Sequence, residues 1–380
     1  MRQRPGVVRD AIIAALSEKA EGASLAEISR SVAEKVGVVA ESSVRSYLRL
    51  NTPSLFVRTD RAQYRLKTFD LPSKADPSPA QTPSWDTFRF GQSVLVRADC
   101  MHWLARCSPN SIHAVVTDPP YGLVEYSDSE QAKLRAGRGG VWRIPPSFDG
   151  ARRTPLPRFT VLKQSELDAI ESFFFAWGKA LLRVLVPGAN VLVASNPLLS
   201  YIVAGSLASA GLERRGELVR LVMTMRGGDR PKDAHLEYAD VSVMPRSQWE
   251  PWLMFRKPLD GRVQDNLRKW GTGGFRRPSS ERPFGDVIES APTRGAEREI
   301  APHPSLKPQA FLRQVVRASL PLGKGIVLDP FAGSGSMIAA AESIGYAAIG
   351  IERDKTYYDL ATRAIPKLRQ LDSPSLRGQR

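Results

Sequence analysis

Apolar and polar residues follow two different periods along this chain, and the changes of period mark its elements. Residues 7–20 (VVRDAIIAALSEKA) and 24–37 (SLAEISRSVAEKVG) repeat apolar side chains three and four apart, the spacing of a one-sided helix. The second run opens on Ser24-x-x-Glu27, a capping box, and closes on Gly37. Residues 41–51 predict a third helix, and 55–67 alternate around Asp60-Arg61 as a β-hairpin does. Residues 70–85 carry four prolines and three serines without an apolar period, which reads as a linker. Beyond residue 88 the periods alternate. Strands are expected at 93–99, 113–118, 190–195, 218–226, 249–257, 325–329 and 347–352. Helices are expected at 100–107, 165–185, 308–320, 335–344 and 354–370. Such alternation predicts an α/β fold built on a doubly wound sheet. The expected organisation is a small unit at 1–68, a linker at 69–87, a main domain at 88–370 and a tail at 371–380.

Charge sharpens this picture. Fifty-four Lys and Arg against 39 Asp and Glu leave a formal net charge of +15, so a polyanion is the expected partner. The two cysteines, Cys100 and Cys107, lack the second pair that a zinc ribbon needs, and no metal site is expected. There is no signal-peptide pattern and no apolar run of membrane-spanning length, so a cytoplasmic protein without a membrane partner is expected. Three helices followed by a hairpin resemble a winged helix-turn-helix. That resemblance makes 41–51 the recognition helix, with Arg45 and Arg49 as DNA contacts; a plain helical interaction module is the other reading.

Two stretches carry chemistry. In AVVTDPPYGL (114–123) a short apolar strand ends in Asp118-Pro119-Pro120-Tyr121. Proline fixes its own φ and donates no hydrogen bond, so a carboxylate and a ring stand on a stiff turn. In VLDPFAGSGS (327–336) a strand ends at Asp329-Pro330, and Phe331, Gly333, Ser334 and Gly335 form a tight turn into a helix. Glycine admits close approach of a ligand to the backbone there. Glu352, nineteen residues after Gly333, ends the next strand where it could accept from two ribose hydroxyls. Nicotinamide enzymes share that layout, but Phe331 stands where their first glycine belongs, which suits an adenosine without a pyrophosphate.

Together, Asp118-Pro119-Pro120-Tyr121 and Phe331-x-Gly333-x-Gly335 resemble the S-adenosylmethionine-dependent DNA amino-methyltransferases, which methylate adenine N6 or cytosine N4. Residues 96–122 and 303–319 agree, and the order, catalytic motif first, is that of the β group. The resemblance covers about 90–370 and leaves the small unit outside. It implies that Asp118 and the Pro119 carbonyl accept the two N–H groups of the base amine. It also implies that Pro120 stiffens the turn and that Tyr121 stacks on a flipped base. Asp99, with Cys100, would meet the cofactor's adenine amine, Lys307 its methionine carboxylate, with His303 beside it, and Glu352 its ribose. Asp329, Pro330, Phe331, Gly333, Ser334 and Gly335 would line the rest.

Target recognition is expected between the motifs, at about 123–160 and 226–300. The candidate DNA contacts there are Arg135, Arg138, Arg143, Arg226, Arg230, Arg276 and Arg277. An Asp before Pro-Pro-Tyr is commoner in adenine enzymes of the family, so adenine is the expected base and cytosine N4 the alternative. A catalytically silent DNA-binding regulator and an RNA methyltransferase are the other readings. Double-stranded DNA is the expected substrate. A second copy of the chain and a companion restriction endonuclease are candidate partners, in a bacterial or phage setting at the nucleoid.

Overall fold

A computed structural model describes residues 7–17, 19, 22–37, 39–50, 52, 56–60, 62–66, 85–120, 164–226, 230–231, 234–303 and 305–371. The chain forms two compact units, Met1–Ala80 and Gln81–Arg380.

In the first unit, helices α1 (Val7–Ser17), α2 (Leu25–Val36) and α3 (Glu41–Leu50) accompany strands β1 (Ala23–Ser24), β2 (Phe56–Asp60) and β3 (Gln63–Leu66). The strands pair antiparallel in the order β1-β3-β2. The capping box forms as the sequence demands. The Ser24 hydroxyl accepts the Glu27 N–H at 3.3 Å, and the Glu27 carboxylate accepts the Ser24 N–H at 2.8 Å. Such a cap stabilises a helix by about 1 kcal/mol. Ile12, Ile28, Val32, Val44, Leu48 and Phe56 fill a separate core. With Val44 and Leu48 turned inward, Ser42, Arg45, Ser46 and Arg49 line the exposed side of α3. Arg45 is paired there with Glu41 at 2.8 Å.

Among the described residues, the second unit is a nine-stranded sheet with helices on both faces. Its strands are β4 (Thr87–Phe90), β5 (Ser93–Arg97), β6 (Ile112–Thr117), β7 (Leu185–Ala194), β8 (Glu213–Arg226), β9 (Ser247–Arg256), β10 (Val287–Glu289), β11 (Ile326–Asp329) and β12 (Ala347–Glu352). Its helices are α4 (Cys100–Arg106), α5 (Gln164–Val184), α6 (Ser200–Ala210), α7 (Val263–Trp270), α8 (Gly295–Ile300), α9 (Gln309–Ser319), α10 (Ser336–Ser343) and α11 (Lys355–Gln370). Side chains from α4, α5 and α6 build the core on one face, and those of α9, α10 and α11 the core on the other. No helix among the described residues is long and apolar enough to cross a membrane.

Strand order is β10-β8-β9-β7-β6-β11-β12-β5-β4. The run β7-β6-β11-β12-β5 is parallel, whereas β9 is antiparallel to both β7 and β8, and β4 to β5. The expected doubly wound sheet is therefore a mixed one. The window 226–300 is not a single insertion either, since β9 is a strand of the sheet itself. Chain connections run outward from β6 to β7 on one side and from β11 to β12 on the other. The β6/β11 boundary is thus the switch point, where open α/β sheets present their crevice at the carboxyl ends of the strands.

Candidate active site

Both chemical motifs converge on that boundary. Asp118, Pro119 and Pro120 follow β6, and the glycine turn follows β11, its nearest neighbour. A hydrogen bond joins the tips, the Thr117 hydroxyl donating to Asp329 Oδ1 at 2.6 Å. Asp118, Lys307, His303, Ser305, Phe331 and Gly333 line a crevice between them.

The turn is shaped by its glycines. Gly333 has φ +52° and Gly335 φ +75°, a region L-residues rarely adopt. A Cβ on Gly333 would stand 3.0 Å from His303 Nε2 and fill the cradle. The Gly333 N–H donates to Glu352 Oε2 at 2.8 Å, and the Asp354 N–H to Oε1 at 2.7 Å. Burial raises the Glu352 pKa against the pull of these donors. Asp99, at the end of neighbouring β5, caps α4 by accepting the Met101 and His102 N–H groups at 3.0 and 3.1 Å. Cys100 is buried, and its thiol is pushed up to about 12, chiefly by burial. Phe331 packs its ring 5.6 Å from Trp177 and 6.2 Å from Phe173, so one side of it serves the core. Pro330 and Ser334 are buried in the turn. A backbone cradle with carboxylate acceptors on two adjacent strand ends fits an adenosine: Glu352 suits ribose hydroxyls, and Asp99 an adenine amine.

Asp329 is buried, and its pKa is raised to about 7. Burial is the main cause, opposed by hydrogen bonds from Thr117 and the Phe331 N–H and aided by Asp118 and Glu352. His303 packs against Tyr357 at 4.5 Å, and its pKa is lowered to about 4, first by burial and then by Lys307.

Lys307 lines that same crevice and is held by two carboxylates. Its buried ammonium lies 2.5 Å from Asp118 Oδ2 and 3.1 Å from Glu250 Oε1. Burial works to strip its proton, but Asp118 and Glu250 outweigh that, and its pKa stands above the ordinary lysine value. A buried ammonium needs opposing charge, and these two carboxylates supply it. Glu250 in turn binds Arg220 at 3.0 Å. Burial raises the Glu250 pKa, yet Lys307 and Arg220 hold it below the usual carboxylate value. Neither Glu250 nor Arg220 was marked by the sequence. The hint in the sequence is Glu250 between the tryptophans at the start of the apolar run 251–255.

The expected DNA contacts divide. Arg226 ends β8 on the side of the strand tips, and exposed Arg230 follows it. Arg276 and Arg277 do not reach the crevice. Arg276 donates to the Tyr346 hydroxyl at 2.6 Å and, through its backbone N–H, to the Ala318 carbonyl, at the amino-terminal edge of the sheet. Arg277 follows it there and donates to the Glu281 carbonyl. Tyr121, Arg135, Arg138 and Arg143 lie outside the described residues. No cluster of His, Cys, Asp and Glu able to hold a metal occurs among the described residues.

A glycine cradle and a proline-stiffened carboxylate thus stand at adjacent strand ends of an α/β sheet, an arrangement into which an adenosine would fit. Comparison points the same way: residues 231–363 match the family model described as DNA methylase. The match leaves out Asp118, but two relatives span most of the chain. The Type II methyltransferase M.HindIII of Haemophilus influenzae is 22% identical over 297 residues, covering 71% of this chain and 94% of that protein. The Type II methyltransferase M2.DpnII of Streptococcus pneumoniae is 24% identical over 283 residues, covering 73% and 91%. Among solved structures, the cytosine-N4-specific PvuII DNA methyltransferase overlays with a TM-score of 0.47 at 13% identity, covering 75% of this chain and 88% of its own.

Proposed function

We propose that the protein transfers a methyl group from S-adenosylmethionine to the exocyclic amine of a base in double-stranded DNA, adenine N6 being the target. The observation that carries this is the Asp118-Pro119-Pro120 tip beside the Gly333 turn at the switch point. The cofactor, when bound, supplies an electrophilic methyl group; the chain's residues do the rest. An exocyclic amine is a poor nucleophile because its lone pair is delocalised into the ring. Asp118 accepts one amine N–H and the Pro119 carbonyl the other, which localises the lone pair toward the methyl. The prolines hold both acceptors ready, so little ordering is left to the reaction itself. Glu352 and Asp99 orient the adenosine, and the Gly333 cradle brings it close to the backbone. Tyr121 supplies a stacking face.

DNA is held, on this reading, by Arg226 and Arg230 on the crevice side and by Arg135, Arg138 and Arg143 before α5. In the first unit, the exposed stripe on α3 with Arg45 and Arg49 is a second contact of winged-helix type. The Type II names of the relatives support a companion restriction endonuclease and a bacterial or phage host; a second copy of the chain is a further candidate partner.

Duplex DNA incubated with the enzyme and labelled cofactor, then digested to nucleosides, identifies the product. N6-methyl-2′-deoxyadenosine is expected, and N4-methyl-2′-deoxycytidine would overturn the choice of base. Asp118→Ala should abolish transfer while cofactor binding, measured by calorimetry, stays within about twofold. Turnover by that variant would refute the mechanism.

A further inference from the structure

The ion pairs behind the crevice form a chain of alternating sign. Asp118 meets Lys307 at 2.5 Å, Lys307 meets Glu250 at 3.1 Å, and Glu250 meets Arg220 at 3.0 Å. Two acids and two bases leave the quartet neutral. Every member beyond Asp118 is tied down. Arg220 donates to the Ser290 hydroxyl at 3.0 Å and lies 5.1 Å over the Phe311 ring. The Trp252 indole N–H donates to Glu250 Oε2 at 3.3 Å. Lys307 itself comes from the segment leading into α9; its ammonium reaches Asp118 after β6 and Glu250 on β9, and more loosely the Ser305 carbonyl of its own segment at 3.5 Å.

A lysine side chain has four rotatable bonds and holds a geometry only when its ammonium is pinned. With Asp118 alone as partner, the ammonium could follow the carboxylate wherever it turned. Glu250 removes that freedom. Held from behind, Lys307 fixes one oxygen of Asp118 and so the direction in which the carboxylate presents itself to the crevice.

We propose that Glu250 is a positioning residue for methyl transfer, acting through Lys307 to set the orientation of Asp118. The proposal rests on the methyltransferase reading of the crevice. It extends that reading to strands β8 and β9; Arg226 ends β8 on the strand-tip side, and Arg230 follows it. A misplacement of an acceptor by about 1 Å costs on the order of a hundredfold in rate. Glu250→Gln is therefore expected to lower kcat tenfold to a hundredfold while the Kd for S-adenosylmethionine moves less than about twofold.

The charge on Lys307 reports whether the Glu250–Lys307 pair forms in solution, and the kinetic cycle below reports whether that pair positions Asp118. The groups facing its ammonium are Asp118 after β6, Glu250 on β9, Arg220 on β8 beyond Glu250, and His303 on its own segment. Glu250→Gln removes one of the two anions that retain its proton, so Lys307 loses that proton at lower pH. Glu250→Asp keeps the charge and should retain most of the wild-type value.

The experiment has two arms on the full-length protein. In the first, lysine labelled with 13C at Cε is followed by NMR against pH without cofactor or DNA, with Lys307→Gln assigning the resonance. A downward shift of the Lys307 titration in Glu250→Gln and a near-wild-type value in Glu250→Asp are expected. Identical titrations in all three proteins would overturn the proposal whether or not the enzyme methylates DNA. In the second arm, kcat is measured for wild type, Glu250→Gln, Lys307→Gln and the double variant. The double variant should be no slower than Lys307→Gln, because Glu250 acts only through the lysine. Multiplicative losses would refute it. If Glu250→Gln does not fold, Glu250→Ala, which also removes the charge, takes its place in both arms. A wild type without methyl transfer would refute the functional reading and leave the first arm standing.

Discussion

Asp329 offers the most quantitative test of the site's electrostatics. It is buried at the tip of β11, where burial raises its pKa from the ordinary 3.8 to about 7. Between those values the folded protein binds a proton that the unfolded chain does not, so stability must fall as pH rises from about 4 to about 7 and then level off. Each pH unit costs about 1.4 kcal/mol, which sums to about 4 kcal/mol at most. Asp329→Asn removes the cost without removing the acceptor. The Thr117 hydroxyl and the Phe331 N–H both donate to Oδ1, at 2.6 and 3.2 Å, and an amide oxygen serves both. The variant should match wild type near pH 4.5 and exceed it by a few kcal/mol at pH 8. All seven tryptophans lie at or beyond Trp85, so their fluorescence during urea unfolding follows the second unit alone. Other titrating groups are common to both proteins and cancel in the difference. Parallel stability curves between pH 4.5 and 8 would show that Asp329 is not held protonated by burial and would refute the reasoning.

Two further substitutions probe the scaffold. Gly335 has φ +75°, and a Cβ there would meet Ile365 Cγ1 at 2.5 Å; Gly335→Ala should cost about 2–4 kcal/mol from backbone strain and overpacking, read as a lower urea midpoint. Asn266 is fully buried and ties the Pro187 carbonyl, the Thr272 carbonyl and the Asp260 N–H at 2.8–3.0 Å. Asn266→Ala removes the partner of the Thr272 carbonyl and the Asp260 N–H, while Pro187 keeps the Thr272 hydroxyl at 2.6 Å; it should cost about 3 kcal/mol, and a loss below about 1 kcal/mol would mean that water replaces the amide.

Where one segment dictates its own structure, the sequence was readable. The Ser24–Glu27 box, the β12 strand at 347–352 and the helix after Gly335 follow from local spacing, and each forms within a residue or two of expectation. Helix α6 was missed because SYIVAGSLASA is apolar or small on every side, as suits a helix packed into a core, and so shows no one-sided period. Strand β4 was missed because four residues are too few to establish alternation. At the site, Asp118 and Gly333 announce themselves through proline and glycine, whose backbone effects are local. The partners of Lys307 could not be read this way. Glu250 and Arg220 lie on distant stretches of chain and meet the lysine only once β8 and β9 have paired. Arg276 misled for the opposite reason: a basic, glycine-rich run reads as a phosphate-binding loop, and only tertiary structure commits that guanidinium to Tyr346.

The pairing of β6 with β11 has a consequence beyond chain order. Adjacent strands of a sheet stand about 4.8 Å apart, a distance set by backbone hydrogen bonding rather than by side chains. A donor lodged above one strand end and an acceptor fixed to the next therefore inherit their separation from the sheet's own repeat. Loops around such a pair are free to change which sequence is read, because the ruler that measures the transfer lies in the backbone beneath them.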